Sequence, residues 1–193
     1  MFQKIEDNVF TKWVLAVLAY RKENTSIATI KEILKIAGEN RTLTEVESII
    51  SLFSHLLKQI DGRAYSIFHN SFREFVISKT EDLKDTFNKA LIIFYEQNPF
   101  TDEAYRNYFS HLYEVGEYDK IISVTTLEWV KSGWANYRSL EEIKENLEIA
   151  LKATIEKSSL SEFIRIAFLK AQFDRASWNL ETSDIDFPIL LLN

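Results

Sequence analysis

Only six of the 193 residues are Gly or Pro: four glycines and two prolines. Tight turns need backbone that Gly or Pro supplies most readily. A sandwich or barrel of short strands needs a turn signal every 8–12 residues or so. A chain this poor in both residues is predicted to be mainly helical. The same scarcity limits the chemistry. Gly38, Gly62, Gly116 and Gly133 never approach the spacing of GxxxxGK[ST] or GxGxxG, so the chain has no phosphate-cradling loop of its own.

The hydrophobic period confirms the bias. Val9, Trp13, Val17 and Tyr20 recur at steps of three and four and predict a first amphipathic helix. A second carries Ile27, Ile30, Ile33, Leu34 and Ala37 and closes at Gly38. A third, from Leu43 through Val46, Ile49, Ile50 and Phe53 to Leu57, opens on a capping box of Thr42 and Glu45. The period then changes. Lys58–Ile60 and Ala64–Phe68 flank Asp61-Gly62, the one hairpin signal in the chain. A fourth helix follows at once, with Ser71 as its N-cap and Glu74 three residues on. Three helices, a hairpin and a further helix are the order of a winged-helix unit, expected over residues 1–80.

From residue 81 to 193 only helices are predicted, starting near 81, 102, 118, 140 and 160, with a further one around Leu127–Trp134. They are expected to form an irregular array of antiparallel pairs, solenoid-like without a repeat consensus. Thr101, Ser139/Glu142 and Ser159/Glu162 supply caps, and Gly116 a stop. The charge divides the same way: residues 1–80 hold 11 basic and 9 acidic residues (+2), residues 81–193 hold 12 and 20 (−8). The apolar tail, with Phe187 and Ile189–Leu192, is expected either to fold back on the core or to mark a truncated chain.

The absence of Cys removes disulfides and thiolate metal sites and fits a reducing compartment. The longest charge-free run, Ser48–Leu57, is too short to cross a bilayer, and the N-terminus has no apolar signal core. A cytoplasmic chain without membrane contact is expected. His55, His69 and His111 are 14 and 42 residues apart, which matches no metal motif. GxSxG is also missing. No catalytic constellation emerges, and the chain is not expected to be an enzyme.

One histidine stands out. His69 falls where the second hairpin strand gives way to a helix. Helix N-termini expose unpaired N–H groups and a partial positive charge, so an imidazole there can join them in meeting an anion. The competing reading makes His69 a simple turn cap. His111 reads as structural, and His55 as a half-exposed packing residue on the third helix.

Phe68-His-Asn-Ser-Phe-Arg-Glu-Phe75 resembles the end of the winged helix in NACHT-type STAND NTPases, and Tyr108-Phe-Ser-His-Leu-Tyr-Glu-Val-Gly resembles the helices that follow it. The likeness covers residues 9–135. It implies that His69 contacts the β-phosphate of ADP and holds a closed state, with Ser71 and Glu74 capping the supporting helix. The nucleotide would be carried by an upstream NACHT domain, because the Walker and sensor residues have no counterparts here. No cofactor is expected in this chain itself. The resemblance further implies a regulatory role in signal-triggered assembly, including antiphage defence in bacteria.

Two alternatives remain at this stage. A winged-helix DNA binder is disfavoured by Glu45 and Glu47 on the third helix and by a wing with one cation, Arg63. A protein-interaction scaffold would use aromatic residues near helix ends: Trp134, Tyr137 and Trp178. Phe87, Phe94, Tyr105, Phe109, Phe163, Phe168 and the other aromatics at helical spacing are expected in the core.

Overall fold

A computed structural model describes residues 8–99, 101–137 and 140–182. The fold is mainly helical, with a small three-stranded antiparallel sheet. The chain forms two compact units that divide between Asn98 and Pro99.

The first unit runs α1 (Val9–Arg21), β1 (Thr25–Ser26), α2 (Ile27–Ile36), α3 (Leu43–Leu52), a 3-10 turn (Ser54–Leu56), β2 (Leu57–Ile60), β3 (Ala64–Ile67), α4 (Asn70–Lys79), a second 3-10 turn (Glu81–Leu83) and α5 (Lys84–Gln97). Its axis is α1. The stretch Val14–Ala19 is apolar on every side, and every residue of it is buried. A helix apolar all round belongs inside a bundle, and α1 packs against α2, α3, α4, α5 and β3. The single stripe expected of this helix is therefore replaced by complete enclosure. Near its end Arg21, 6% exposed, donates to Thr25 Oγ1 at 2.6 Å and to the Asn24 carbonyl at 3.2 Å, fixing the turn into β1.

The hairpin forms as the sequence signals. Leu57 pairs with Ile67 and Ile60 with Ala64. Asp61 and Gly62 take left-handed φ of 50° and 67°, and Arg63 N–H donates to the Ile60 carbonyl at 3.1 Å. The sheet also contains β1, a two-residue strand between α1 and α2. Thr25 pairs with Tyr65, giving the strand order β1-β3-β2. The third helix ends earlier than its apolar stripe. Leu57 opens β2, where burial against the sheet replaces burial on a helix, and His55 sits exposed in the intervening 3-10 turn.

Helix α5 belongs to this unit rather than to the array after residue 80. Phe87, fully buried, stacks on Tyr20 at 6.0 Å and meets the edge of Trp13 at 5.4 Å. Its aromatic face completes the core around α1.

The second unit comprises α6 (Asp102–Glu114), α7 (Tyr118–Val124), α8 (Leu127–Tyr137), α9 (Leu140–Glu156) and α10 (Leu160–Thr182). Here α9 is central, packed against the other four. Tyr105, Val130, Ile143, Leu147, Leu169, Phe173 and Ala176 form the core, with Trp129 and Trp134 packed against it. Trp129 stacks on the rings of both Tyr105 and Phe109, at 4.7 and 4.8 Å. Asn146, 1% exposed, bridges α9 to α6 by donating to the Tyr105 carbonyl at 2.9 Å.

The helix ends show why so few glycines suffice. At Gly38 and Gly116, φ is +98° and +78°, and the next residue's N–H reaches back to Leu34 and Leu112 at 2.8 and 2.9 Å. This is the left-handed closure that Gly favours. Helix α9 ends the same way on Ser158, φ +52°, with Ser159 N–H on the Thr154 carbonyl at 3.0 Å. The expected box of Thr42 and Glu45 is present in full, and Thr101 caps α6. The Ser139 cap lies outside the described residues. At α10 the Glu162 carboxylate pairs with Arg165 at 2.7 Å.

Candidate functional site

The joint between β3 and α4 is built by strand parity. Side chains alternate along a strand, so buried Ile67 leaves Phe68 facing outward, 61% exposed. His69 follows with extended backbone, φ −109° and ψ 132°, and occupies the N-cap of α4. Its carbonyl accepts from the N–H groups of Phe72 and Arg73, both at 3.1 Å. The imidazole itself is exposed and stands edge-on to Phe68, with ring centroids 4.3 Å apart.

Ser71 and Glu74 do not cap this helix. The extended residue is His69, so α4 starts at Asn70, Ser71 lies one residue inside the first turn, and Glu74 is too far along to reach the end. No side chain caps the N-terminus of α4 among the described residues. Beneath the surface, Phe72 and Val76 are buried and anchor α4 against α1. The joint is thus held by buried apolar groups while Phe68 and His69 face solvent. The motif at the joint opens on Phe68 but assigns it no role, although the alternation through Ile67 places it outward.

Glu45 carries the electrostatics of the capping box. Its carboxylate accepts from Thr42 N–H at 2.8 Å and from the Thr42 hydroxyl at 2.8 Å. These bonds, backbone first, hold its pKa below the ordinary 4.5. Burial raises the pKa of Tyr20, whose hydroxyl donates to the Thr80 carbonyl at 3.1 Å. Both groups serve helix ends and contacts between elements, away from the joint.

His111 is 8% exposed within α6. Trp134 is partly buried against the core of the second unit, because α8 turns that face toward α9. It does not present a free aromatic surface. Trp178 is 69% exposed. The side chain of Tyr137 lies outside the described residues. Phe168, expected in the core, is 65% exposed, and Phe163 is also exposed. Among the described residues no group of three or more His, Asp or Glu could hold a metal ion, and no helix is long and apolar enough to cross a membrane. No family model, no curated protein and no solved structure matches the chain.

Proposed function

We propose that this chain is the winged-helix and helical segment of a STAND-type nucleotide switch. In this reading His69 contacts the β-phosphate of ADP held by a nucleotide-binding domain on the same polypeptide. The second unit relays the binding of a protein partner to that contact. The observation that carries the reading is the exposed imidazole of His69 at the N-cap of a helix that no side chain caps. Asn70 and Ser71, which open the helix, are exposed like His69, and in this reading an anion at the joint would meet the imidazole together with their N–H groups.

Further support comes from the order of elements. A helix, a strand, two helices and a hairpin, with the first strand closing on the hairpin in the order β1-β3-β2, fit a winged-helix unit. Phe68 adds an apolar patch beside the imidazole, suited to burial against a neighbouring domain. The switch would be a hinge with two states. ADP ties the joint down, and exchange or partner binding releases it. The chain supplies the sensing contact, and the absent domain supplies all phosphate chemistry.

The DNA-binding alternative loses ground. Glu45 and Glu47 are both exposed on α3, and a phosphate backbone repels them. The deciding experiment is His69→Ala in the polypeptide that carries the nucleotide domain, with ADP affinity as the readout.

A further inference from the structure

The tip where α9 turns into α10 is apolar and faces solvent. Leu160, Ile164 and Phe168 on α10 are 72, 59 and 65% exposed. Ile155, at the end of α9, is 63% exposed, and Phe163 beside it 36%. Leu160, Ile164 and Phe168 stand four residues apart and so share one face of the helix. Ser161, Ala167 and Ala171 complete that face, which carries no charge from position 160 to 171. With about 200 Å² for a fully exposed large apolar side chain, the five leave roughly 600 Å² of apolar surface in water. That is the upper end of the largest patch a monomer keeps, about 300–600 Å². The patch contains both a hole and a knob. The hole is a depression of about 250 Å³ lined by Ile155, Leu160 and Phe163, and a cavity of roughly 150 Å³ is enough to hold benzene. The knob is the ring of Phe168, two turns further along α10.

We propose that this face is a homodimer interface, on which a second copy of the chain packs α10 antiparallel to α10 about a two-fold axis at Ile164. An isologous contact requires a patch complementary to itself. An axis at Ile164 sets that residue opposite its own copy and sets position 160 of one chain opposite 168 of the other. Each Phe168 ring then meets the depression beside Leu160 of the second copy. Ala167 and Ala171 leave room for the two helices to approach closely, and no like charges meet on the face. Covering both patches removes roughly 1,200 Å² from water, the lower bound for a stable specific interface. A different protein would have to bring its own ring and its own hole, both of which a second copy already carries.

The 193-residue chain is sedimented at about 5 to 300 µM. The mass is expected to rise with concentration from 22.6 kDa toward twice that value. Phe168→Glu should raise the dissociation constant at least tenfold, with circular dichroism and melting unchanged because the residue is exposed. A second experiment reads the axis. The chain has no cysteine, so Ile164→Cys is a single thiol. Helices pack about 8–10 Å apart with Cα atoms about 2.3 Å from each axis, which puts facing Cα atoms about 3.5–5.5 Å apart. A disulfide reaches about 4.4–6.8 Å. Oxidised Ile164→Cys should therefore give at least tenfold more covalent dimer than Glu145→Cys, whose thiol lies on α9 roughly 15 Å along the helix from Ile155. A monomer at every concentration would leave the patch to another occupant. Dimerisation unmoved by Phe168→Glu would place the interface elsewhere, and equal trapping of the two thiols would mean random collision. Each of these three results overturns the proposal, and none bears on His69.

Discussion

At the scale of single residues, the joint and the core make opposite demands. His69 is exposed and caps α4 only through its backbone. His69→Ala should therefore leave unfolding free energy within about 0.5 kcal/mol of wild type, as exposed substitutions do, measured by urea denaturation. Gly133 is the reverse case. It lies inside α8, where Ala is usually worth up to about 1 kcal/mol over Gly. A Cβ there would run into the Tyr105 phenol. Overpacking costs about 1–3 kcal/mol, so Gly133→Ala is expected to destabilise. Because the hydroxyl, Cζ and Cε2 of Tyr105 all crowd that position, loss of the hydroxyl alone does not clear it; Gly133→Ala should cost less in a Tyr105→Leu background, and a double-mutant cycle reads that coupling directly.

Individual elements are governed by their ends. The capping-box carboxylate of Glu45 has a folded pKa below its unfolded value. Its contribution is complete above the unfolded pKa and is lost as pH falls through the folded one. The melting-temperature gap between wild type and Glu45→Gln should thus be open at pH 7 and close progressively below about pH 4.5, as carboxylates titrate. At the far end of α9, Ser158 holds a left-handed φ of 52°. Ser158→Gly should stabilise by about 0.5–1 kcal/mol, the relief of Cβ strain less the added freedom of the unfolded chain. Arg165 closes α7 from a distance: its guanidinium donates to the Thr125 and Ile122 carbonyls at 2.6 and 2.9 Å.

These ends also show what could be read from sequence. Thr42/Glu45, Thr101, Asp61-Gly62, Gly38 and Gly116 each carry a local signal, and each stands where that signal puts it. Ser71 does not, because the backbone of His69 is extended and starts the helix first. Strand β1 has only two residues and exists through its pairing with β3, which no local pattern encodes. The full burial of α1 and the exposure of Phe168 are likewise decided by neighbours, since a 3.6-residue period shows that a face is apolar but not whether anything covers it.

On the scale of the whole molecule, the division at Asn98/Pro99 makes a prediction of its own. A fragment ending at 98 keeps Phe87 on Tyr20 and should unfold cooperatively by circular dichroism. A fragment ending at 80 loses that packing and should not. The signs of charge change near residue 80, yet α5 completes the first core. Charge patterning reports surfaces, whereas packing sets the limits of a unit. The functional claim belongs to this scale too, because it joins the first unit to a domain elsewhere on the polypeptide.

The most direct measurement is the dissociation constant of ADP for a polypeptide that joins this chain to the proposed nucleotide domain, wild type against His69→Ala, by calorimetry. A hydrogen bond to a charged phosphate is worth about 1.5–3 kcal/mol, so the account predicts ADP binding weaker by roughly ten- to a hundredfold, with ATP affinity changed less. Equal ADP affinity in the two proteins would contradict it.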